Sequence, residues 1–188
     1  MFTEIKNRDA WGTIRGFVYQ VDLTILRWIN LNDNEILELE RGEDIDIVTN
    51  DFEKQEISRE LEQIKYRDSN ISLNQDFILD ILLNFVTHRK NNPTQKIYFR
   101  FVSNTNFCKE RPTLFLDGKS GVEVWNELSG LNHILQDDNR LIILKKHLQK
   151  KINENLIDNP KITADGMREV NENWKYFHAF IEDSNNLI

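Results

Sequence analysis

Two short runs of alternating polar and apolar residues most constrain the fold of this 188-residue chain: EDIDI at 43–47 and QIK at 63–65. The alternation predicts β-strands, because successive side chains of a strand point to opposite faces of a sheet. Asp44 and Asp46 would then share one face of the first strand, and Gln63 and Lys65 one face of the second. If the strands pair, two carboxylates, an amide and an ammonium group converge on one patch. Such a patch can hold a divalent cation beside a phosphate.

The periodicity of the first half of the chain predicts the order helix, three strands, helix, strand. In chain order the expected segments are a glycine-punctuated lead at 8–16 and a helix at 17–31, strands at 36–40, 43–49 and 57–66, a helix at 76–90 and a strand at 96–102. A connection from one strand through a helix to a parallel strand is almost always right-handed. We therefore expect an α/β fold with a mixed sheet and helices on its faces.

Apolar stripes run along both helices at helical spacing. In the first helix they are Phe17, Val21, Ile25, Trp28 and Ile29, and in the second, where we expect burial, Phe77, Ile78, Ile81, Leu82 and Phe85. The run KIYFRFV at 96–102 is the most strand-like in the chain, which predicts a central, buried strand.

The last third of the chain is predicted to be helical. Helical periodicity covers 121–135, 138–155 and 165–182. The middle segment concentrates four lysines, Lys145, Lys146, Lys150 and Lys151, which either form a solvated face or contact a DNA backbone. The last segment carries Trp174, Phe177 and Phe180, which we expect in the core or in an oligomer interface.

Composition narrows the class of protein. Hydrophobic residues make up 39% of the chain, enough for a packed core, and one cysteine, Cys108, excludes an internal disulfide framework. The N-terminus has no apolar signal-peptide region, and no apolar run approaches the ~20 residues that span a bilayer. These features predict a soluble cytoplasmic protein without a membrane partner. The net charge of −7 argues mildly against nucleic-acid binding unless the basic residues cluster.

Hydrolysis of a phosphodiester is the chemistry that the polar patch suits best. Asp46 and Asp44 are candidate ligands of Mg²⁺, with the Gln63 amide oxygen as a third, since Mg²⁺ prefers oxygen ligands and needs only one or two carboxylates. Lys65 would orient a water or stabilise charge on the phosphorus centre. The chain lacks the ligand spacing of a zinc site, the sequence context of a serine or cysteine nucleophile, and the glycine pattern of a nucleotide cradle.

The runs GFVYQ at 16–20, EDID at 43–46 and QIK at 63–65 together resemble the PD-(D/E)xK, or restriction-endonuclease-like, nucleases. More narrowly, they resemble the N-terminal double-stranded-DNA endonuclease domain of bacterial anti-phage effectors. Such domains occur in CBASS systems as CD-NTase-associated nucleases, and related ones occur in Avs and Lamassu systems. The resemblance covers roughly residues 8–105.

The resemblance implies a restriction-endonuclease-like αβββαβ core in 1–118 and a helical extension in 119–188, which packs on the core or forms a partner or oligomer interface. It also implies an Mg²⁺-dependent endonuclease, with Mn²⁺ as an alternative metal, in an anti-phage defence system. Its partners would be double-stranded DNA, sensor or SMC-like/NTPase subunits, and further copies of the chain on activation. The implied site residues are Asp46 (favoured as the metal-binding aspartate), Asp44, Gln63, Lys65, Glu43 and Gln20.

Glutamine at Gln20 and Gln63 departs from the family pattern, which often has acidic residues there, and suggests a weaker metal site. Three alternatives stay open. The polar strand faces can be ordinary cross-strand charge pairs, the domain can be a non-catalytic partner-binding module of the same fold, and the substrate can be RNA.

Overall fold

A computed structural model describes residues 10–129 and 137–158. Within these ranges the chain forms four helices and four strands. In order they are α1 (Trp11–Ile29), β1 (Glu35–Leu39), β2 (Ile45–Asp51), β3 (Glu56–Lys65), α2 (Asp76–Asn91), β4 (Lys96–Ser103), α3 (Gly121–Ser129) and α4 (Asn139–Asp158). The predicted segments in these ranges match observed elements to within about three residues, with one exception. The helix predicted from Phe17 begins at Trp11, because Gly12 and Gly16 of the expected lead lie inside α1. The predicted segment 165–182 lies outside the described residues, as does the end of the segment 121–135.

The strands form one mixed sheet in the order β1-β2-β3-β4. β1 pairs with β2 and β2 with β3 in antiparallel fashion, as consecutive strands joined by short turns can do. The connection from β3 to β4 passes through α2, and these two strands are parallel. The prediction of an α/β protein with a mixed sheet is confirmed.

The prediction that β4 is a central strand is wrong. Among the described strands, β4 lies at the end of the sheet and pairs with β3 alone. Its apolar side chains are nevertheless buried: Ile97 is 7% and Phe99 6% exposed. The burial comes from α2, which covers one face of the sheet, and Phe85 of α2 stacks on Phe99 with ring centroids 4.7 Å apart. An apolar run therefore reports burial of its side chains and not the position of the strand in the sheet.

The hydrophobic core lies between the sheet and the helices α2, α3 and α4. The predicted stripe of α2 is confirmed as core, with Ile78, Ile81, Leu82 and Phe85 buried and Phe77 packed beside them. Both later helices join the same cluster, through Val124 and Leu128 of α3 and Leu141, Leu144 and Leu148 of α4. The described part of the C-terminal region is thus continuous with the core of the sheet.

The other face of the sheet carries buried charges. Glu60 and Glu62 of β3 point to the face opposite Leu61, because side chains alternate along a strand. Glu62 is completely buried, and Arg100 Nη1 of β4 lies 3.0 Å from Glu62 Oε1 and 3.1 Å from Glu60 Oε1. Burial raises the pKa of Glu60, although Arg100 opposes the shift.

α1 contacts this charged face through polar and aromatic side chains. Arg27 Nε donates to both carboxylate oxygens of Glu62, at 2.8 and 3.1 Å. Arg15 pairs with Asp68, and the rings of Tyr19 and Tyr66 meet edge to face, with centroids 5.9 Å apart.

The apolar stripe of α1 therefore faces outward. An apolar helix stripe ordinarily faces the core, but Phe17 is 64%, Trp28 67% and Ile29 69% exposed. Val21 and Ile25 are about half exposed as well, at 54% and 49%. The sequence shows the stripe but not which side of the helix meets the sheet.

Candidate functional site

The start of β2 and the end of β3 bring together two of the predicted site residues, Asp44 and Gln63. The register pairs Ile45 with Glu62, so one further step places Asp44 opposite Gln63. Gln63 Nε2 donates to Asp44 Oδ2 at 2.5 Å, and the backbone N–H of Ile64 donates to the same oxygen at 2.6 Å. Asp44 is half-buried and Gln63 buried, so the carboxylate is held firmly at the border between protein and solvent.

Lys65 occupies the last position of β3, two residues after Gln63. Residues two apart in a strand point to the same face, so Lys65 shares the face of Gln63. Lys65 is half-buried and lies opposite Ser103 of β4. The structure thus places an ammonium group on the same face and at the same end of β3 as the Asp44–Gln63 contact.

Glu40 lies next to Asp44 across the turn at 41–42 and was not predicted as a site residue. It follows β1, its N–H donates to the backbone carbonyl of Asp44 at 3.5 Å, and its side chain accepts a hydrogen bond from Gln20 Nε2 of α1 at 2.8 Å. Its backbone φ is +53°, a left-handed conformation that costs a residue with a side chain free energy. The sequence contained one signal for Glu40, its position opposite Asp44 across the turn Arg41-Gly42.

Asp46 lies in different surroundings. Its side chain is completely buried, accepts the N–H of Glu43 at 3.1 Å and lies 3.2 Å from Arg59 Nη1. Burial raises the pKa of Asp46, although these hydrogen bonds and the Arg59 charge oppose the shift. The guanidinium of Arg59 also contacts Glu38 Oε2, at 2.8 Å. In the described part of the chain, the carboxylate of Asp46 therefore bonds to Arg59 and the 42–43 turn and makes no hydrogen bond with Gln63.

Gly42 lets the turn close tightly over Asp46. A Cβ atom on Gly42 would stand 3.0 Å from Asp46 Oδ2 and 3.2 Å from a methyl carbon of Leu61. Such distances are shorter than ordinary van der Waals contact, so a larger residue would have to displace the carboxylate.

Glu43 contacts His88 of α2, another residue that sequence reasoning missed. Glu43 is 8% exposed, and its Oε1 lies 3.2 Å from His88 Nε2, a contact that is an ion pair when His88 is protonated. Glu43 raises the pKa of His88, against the opposing effect of burial. An open cavity of about 250 Å³ lies beside these groups, and its polar lining includes Arg41, Asp46, Arg59, His88, Asn92 and Gln95. Glu43 thus links the EDID run at 43–46 to helix α2.

The four lysines of α4 do not form one uniformly exposed patch. Lys150 is exposed, Lys151 is mostly covered, and both approach Glu154, at 3.7 and 3.3 Å. Lys146 is exposed and Lys145 half-buried. An acidic residue therefore partly neutralises the basic cluster.

The oxygen atoms of the side chains near Asp44 are suited to a cation such as Mg²⁺, which takes few of its ligands from the protein. No group of three or more His, Cys, Asp or Glu side chains suited to a metal ion occurs within residues 10–129 and 137–158. Asp44 Oδ1 and Glu40 Oε2, however, receive no hydrogen bond from any described residue. Asp44, Glu40 and the amide oxygen of Gln63 are oxygen donors of the type that Mg²⁺ prefers, and Mg²⁺ keeps several waters and needs only one or two carboxylates.

Comparison with known proteins identifies no relative. No protein-family model matches the chain, and neither the curated proteins nor the solved structures include a significant match. Among the described helices, none combines the length and the apolar character that crossing a bilayer requires.

Proposed function

We propose that this protein is a metal-dependent nuclease that cuts double-stranded DNA, with its catalytic centre at Asp44, Gln63 and Lys65. The observation that carries the proposal is the 2.5 Å contact between Gln63 and Asp44 at the end of β3 that also bears Lys65. A carboxylate and an amide at one end of two paired strands can hold a metal ion for phosphodiester hydrolysis, and a lysine beside them can stabilise the charge that develops on the phosphate.

The order and pairing of the elements support the same proposal. A helix, three antiparallel strands, a crossover helix and a fourth, parallel strand make the αβββαβ arrangement that the sequence resemblance implies. We propose on this basis that the fold is restriction-endonuclease-like.

Asp44, rather than Asp46, is proposed to hold the metal. Asp44 has one carboxylate oxygen fixed by Gln63 and Ile64, and the other receives no hydrogen bond from any described residue. Asp46 is fully buried, and Arg59 already compensates its charge. Its proposed role is to hold the 42–43 turn in the conformation that presents Asp44.

Mg²⁺, or Mn²⁺ in its place, would be held by Asp44 with Glu40 and Gln63, and when bound it lowers the pKa of a water and neutralises phosphate charge. Lys65 would stabilise the negative charge that develops on the phosphate oxygens, an effect often worth about 10²–10³ in rate. Gln20 would act indirectly, by holding the Glu40 carboxylate through its 2.8 Å hydrogen bond.

The net charge of −7 favours a nuclease that binds DNA weakly alone. We propose that it acts as an effector of a bacterial anti-phage defence system, in the cytoplasm, and that a sensor or SMC-like/NTPase subunit or self-association activates it. The cations of α4, Lys145, Lys146, Lys150 and Lys151, would contact the phosphate backbone once such an assembly forms.

The test measures cleavage of supercoiled plasmid by the purified protein in Mg²⁺ or Mn²⁺, with the proteins encoded by its neighbouring genes added. The same reaction in excess chelator is the control for the metal. Lys65→Ala should abolish cleavage, while Lys90→Ala, a matched change of another half-buried lysine, should leave it intact. A folded double-stranded RNA substrate serves as the second arm. If only the RNA were cleaved, RNA and not DNA would be the substrate. If the wild type cleaved neither substrate, a non-catalytic module would remain as the function, and equal cleavage by the wild type and Lys65→Ala would remove Lys65 from the catalytic centre.

A further inference from the structure

The exposed apolar side of α1 carries a stripe whose sequence is the same in both directions along the helix. Its six residues follow one another at alternating steps of three and four: Trp11, Ile14, Val18, Val21, Ile25 and Trp28. The order of residue types, Trp-Ile-Val-Val-Ile-Trp, is a palindrome, and so is the order of the steps between them. This spacing is the heptad pattern with which two helices pack along their lengths.

The palindromic stripe is exposed along its whole length. The exposed fractions follow the same symmetry, at 67% for both tryptophans, 46% and 49% for the isoleucines and 54% for both valines. α1 contacts Glu62 of the sheet through Arg27, and Tyr66 through Tyr19, on the other side of the helix. In the part of the chain that the structure describes, one side of α1 thus binds its own domain and the opposite side is open to solvent.

The exposed side of α1 is large enough for a protein contact. Single exposed apolar residues are normal on a protein, whereas a continuous apolar stripe marks a contact surface. Trp11, Phe17 and Trp28 are each about two-thirds exposed. Since a buried aromatic side chain covers about 150–250 Å², covering these three would bury about 300–500 Å². The valines and isoleucines add to this area, and a standard interface takes about 800 Å² from each partner.

The sizes of the side chains fit two helices that cross each other. Packed helices are inclined, so the distance between their axes is smallest at the crossing point and grows towards both ends. Val18 and Val21, the smallest members of the palindromic stripe, stand at its middle, and Trp11 and Trp28, the largest, stand at its ends. With valine against valine at the crossing point, the larger side chains fill the wider gaps on either side.

The charges beside the palindromic stripe are complementary when two copies of α1 run antiparallel. Arg15 and Asp22 are exposed and lie along one border of the stripe. An antiparallel pair centred between Val18 and Val21 brings Arg15 of each copy close to Asp22 of the other. Arg15 also contacts Asp68 of its own chain, but that pair is exposed at both ends and therefore weak. A parallel pair would instead place like charges at the same level along the two helices.

We propose that two copies of this chain associate through α1, antiparallel about a two-fold axis between Val18 and Val21, with Trp11 of each copy packed near Trp28 of the other. A two-fold interface uses the same surface on both partners, so that surface must be complementary to itself. The palindromic stripe meets this requirement, because each residue type then faces its own type. An unrelated partner protein would not require this symmetry. The association needs no nuclease activity, so it can be tested apart from cleavage.

The mass of the full chain in solution tests the association. Sedimentation equilibrium over a range of concentrations should show a monomer–dimer equilibrium that approaches twice the 22.4 kDa of one chain. Val21→Glu should raise the dissociation constant at least about tenfold, because it places an unpaired carboxylate in the contact. Leu26→Glu is the matched control, since Leu26 is exposed on α1 outside the palindromic stripe, and it should leave the constant unchanged. Circular dichroism establishes that both variants are folded.

Three results of this measurement would overturn the proposal. A monomer at every concentration would exclude the association. A dimer that Val21→Glu does not weaken would place the contact on another surface. Equal weakening by Val21→Glu and Leu26→Glu would show that the palindromic stripe does not define the contact.

Disulfide formation under mild oxidation tests the orientation, in a Cys108→Ser background that removes the native thiol. Chains with Ile14→Cys mixed with chains with Ile25→Cys should form crosslinked dimers, because the two positions face each other in the antiparallel pair. Neither variant alone should crosslink, because its two cysteines would lie about 16 Å apart along the helices, beyond the about 4.4–6.8 Å between the Cα atoms of a disulfide. Crosslinking of each variant with itself would show a parallel pair and overturn the proposal.

Discussion

Arg27 Nε lies 2.8 Å from Glu62 Oε1, and Glu62 is completely buried. This ion pair, together with Arg100 on the other side of the carboxylate, fixes α1 to the sheet at a place where most proteins use apolar contacts. An uncompensated buried charge is costly, so the pair defines where the helix must lie even if its net contribution to stability is small.

Arg27→Ala should destabilise the protein by about 3 kcal/mol, because it leaves the buried Glu62 with Arg100 alone. Arg15→Ala is the matched control on the same helix. The Arg15–Asp68 pair is exposed at both ends, so its loss should cost less than about 1 kcal/mol. Urea unfolding of both variants measures the difference, and equal midpoints would show that the Glu62 pair is not required to hold α1.

Alanine substitutions of Asp44 and Asp46 should have different effects: the first should mainly abolish cleavage, and the second should mainly lower the stability of the fold. Asp44→Ala removes a half-buried carboxylate that accepts two hydrogen bonds, so we expect a loss of about 1 kcal/mol and of all cleavage. Asp46→Ala leaves Arg59 facing a buried gap, which should cost about 3 kcal/mol. Cleavage by Asp46→Ala should persist at temperatures where it is folded. If Asp46→Ala abolished cleavage and Asp44→Ala retained it, the metal would be held by Asp46.

Two glycine-to-alanine substitutions should change the free energy of unfolding in opposite directions. Gly42→Ala pushes a methyl group against Asp46 and Leu61 and should destabilise the protein by about 1–2 kcal/mol. A Cβ at Gly16 meets nothing within 4 Å inside α1, so Gly16→Ala should stabilise by about 0.5–1 kcal/mol through helix propensity. Thermal unfolding of the two variants is sufficient to compare them. A neutral Gly42→Ala would mean that the turn relaxes without strain.

The pH dependence of stability should report His88 and His147 separately. The folded pKa of His88 is raised, so its contribution is complete below about pH 6.5 and is lost as the pH rises through the folded value. Burial lowers the pKa of His147, so its contribution is present above about pH 6.5 and is lost as the pH falls through the folded value.

Denaturant midpoints measured from pH 5 to pH 8 test both signs. His88→Gln should remove the loss of stability above about pH 6.5, and His147→Gln should remove the loss below it. If the denaturant midpoints of His88→Gln and the wild type fell in parallel above about pH 6.5, the contact with Glu43 would not stabilise the protonated form of His88.

The order of elements could be predicted because each has a strong local signal. The α2 stripe from Ile78 to Phe85 repeats at helical spacing, and β2 and β3 alternate in polarity. The meeting of Asp44 with Gln63 could be predicted only on the condition that the two strands pair, since the period of two then places both side chains on one face.

The remaining features depend on contacts between distant residues. Nothing near Arg59 in the sequence indicates that it compensates Asp46, and nothing near His88 indicates that it meets Glu43. The edge position of β4 likewise depends on which strands pair, which the composition of a single strand does not determine. The roles of Gln20 and Lys65 in catalysis remain predictions.

The edge position of β4 has a consequence for aggregation. The run KIYFRFV combines high β propensity with few breaking residues, and within the described residues β4 pairs with β3 alone. Such an edge can recruit a strand from another molecule. Two cations interrupt it, Lys96 and Arg100, and both are held in place by acidic residues of β3. These charged positions act as gatekeepers, so the resistance of the folded chain to self-templated β-assembly depends on ion pairs that strengthen the sheet at the same time.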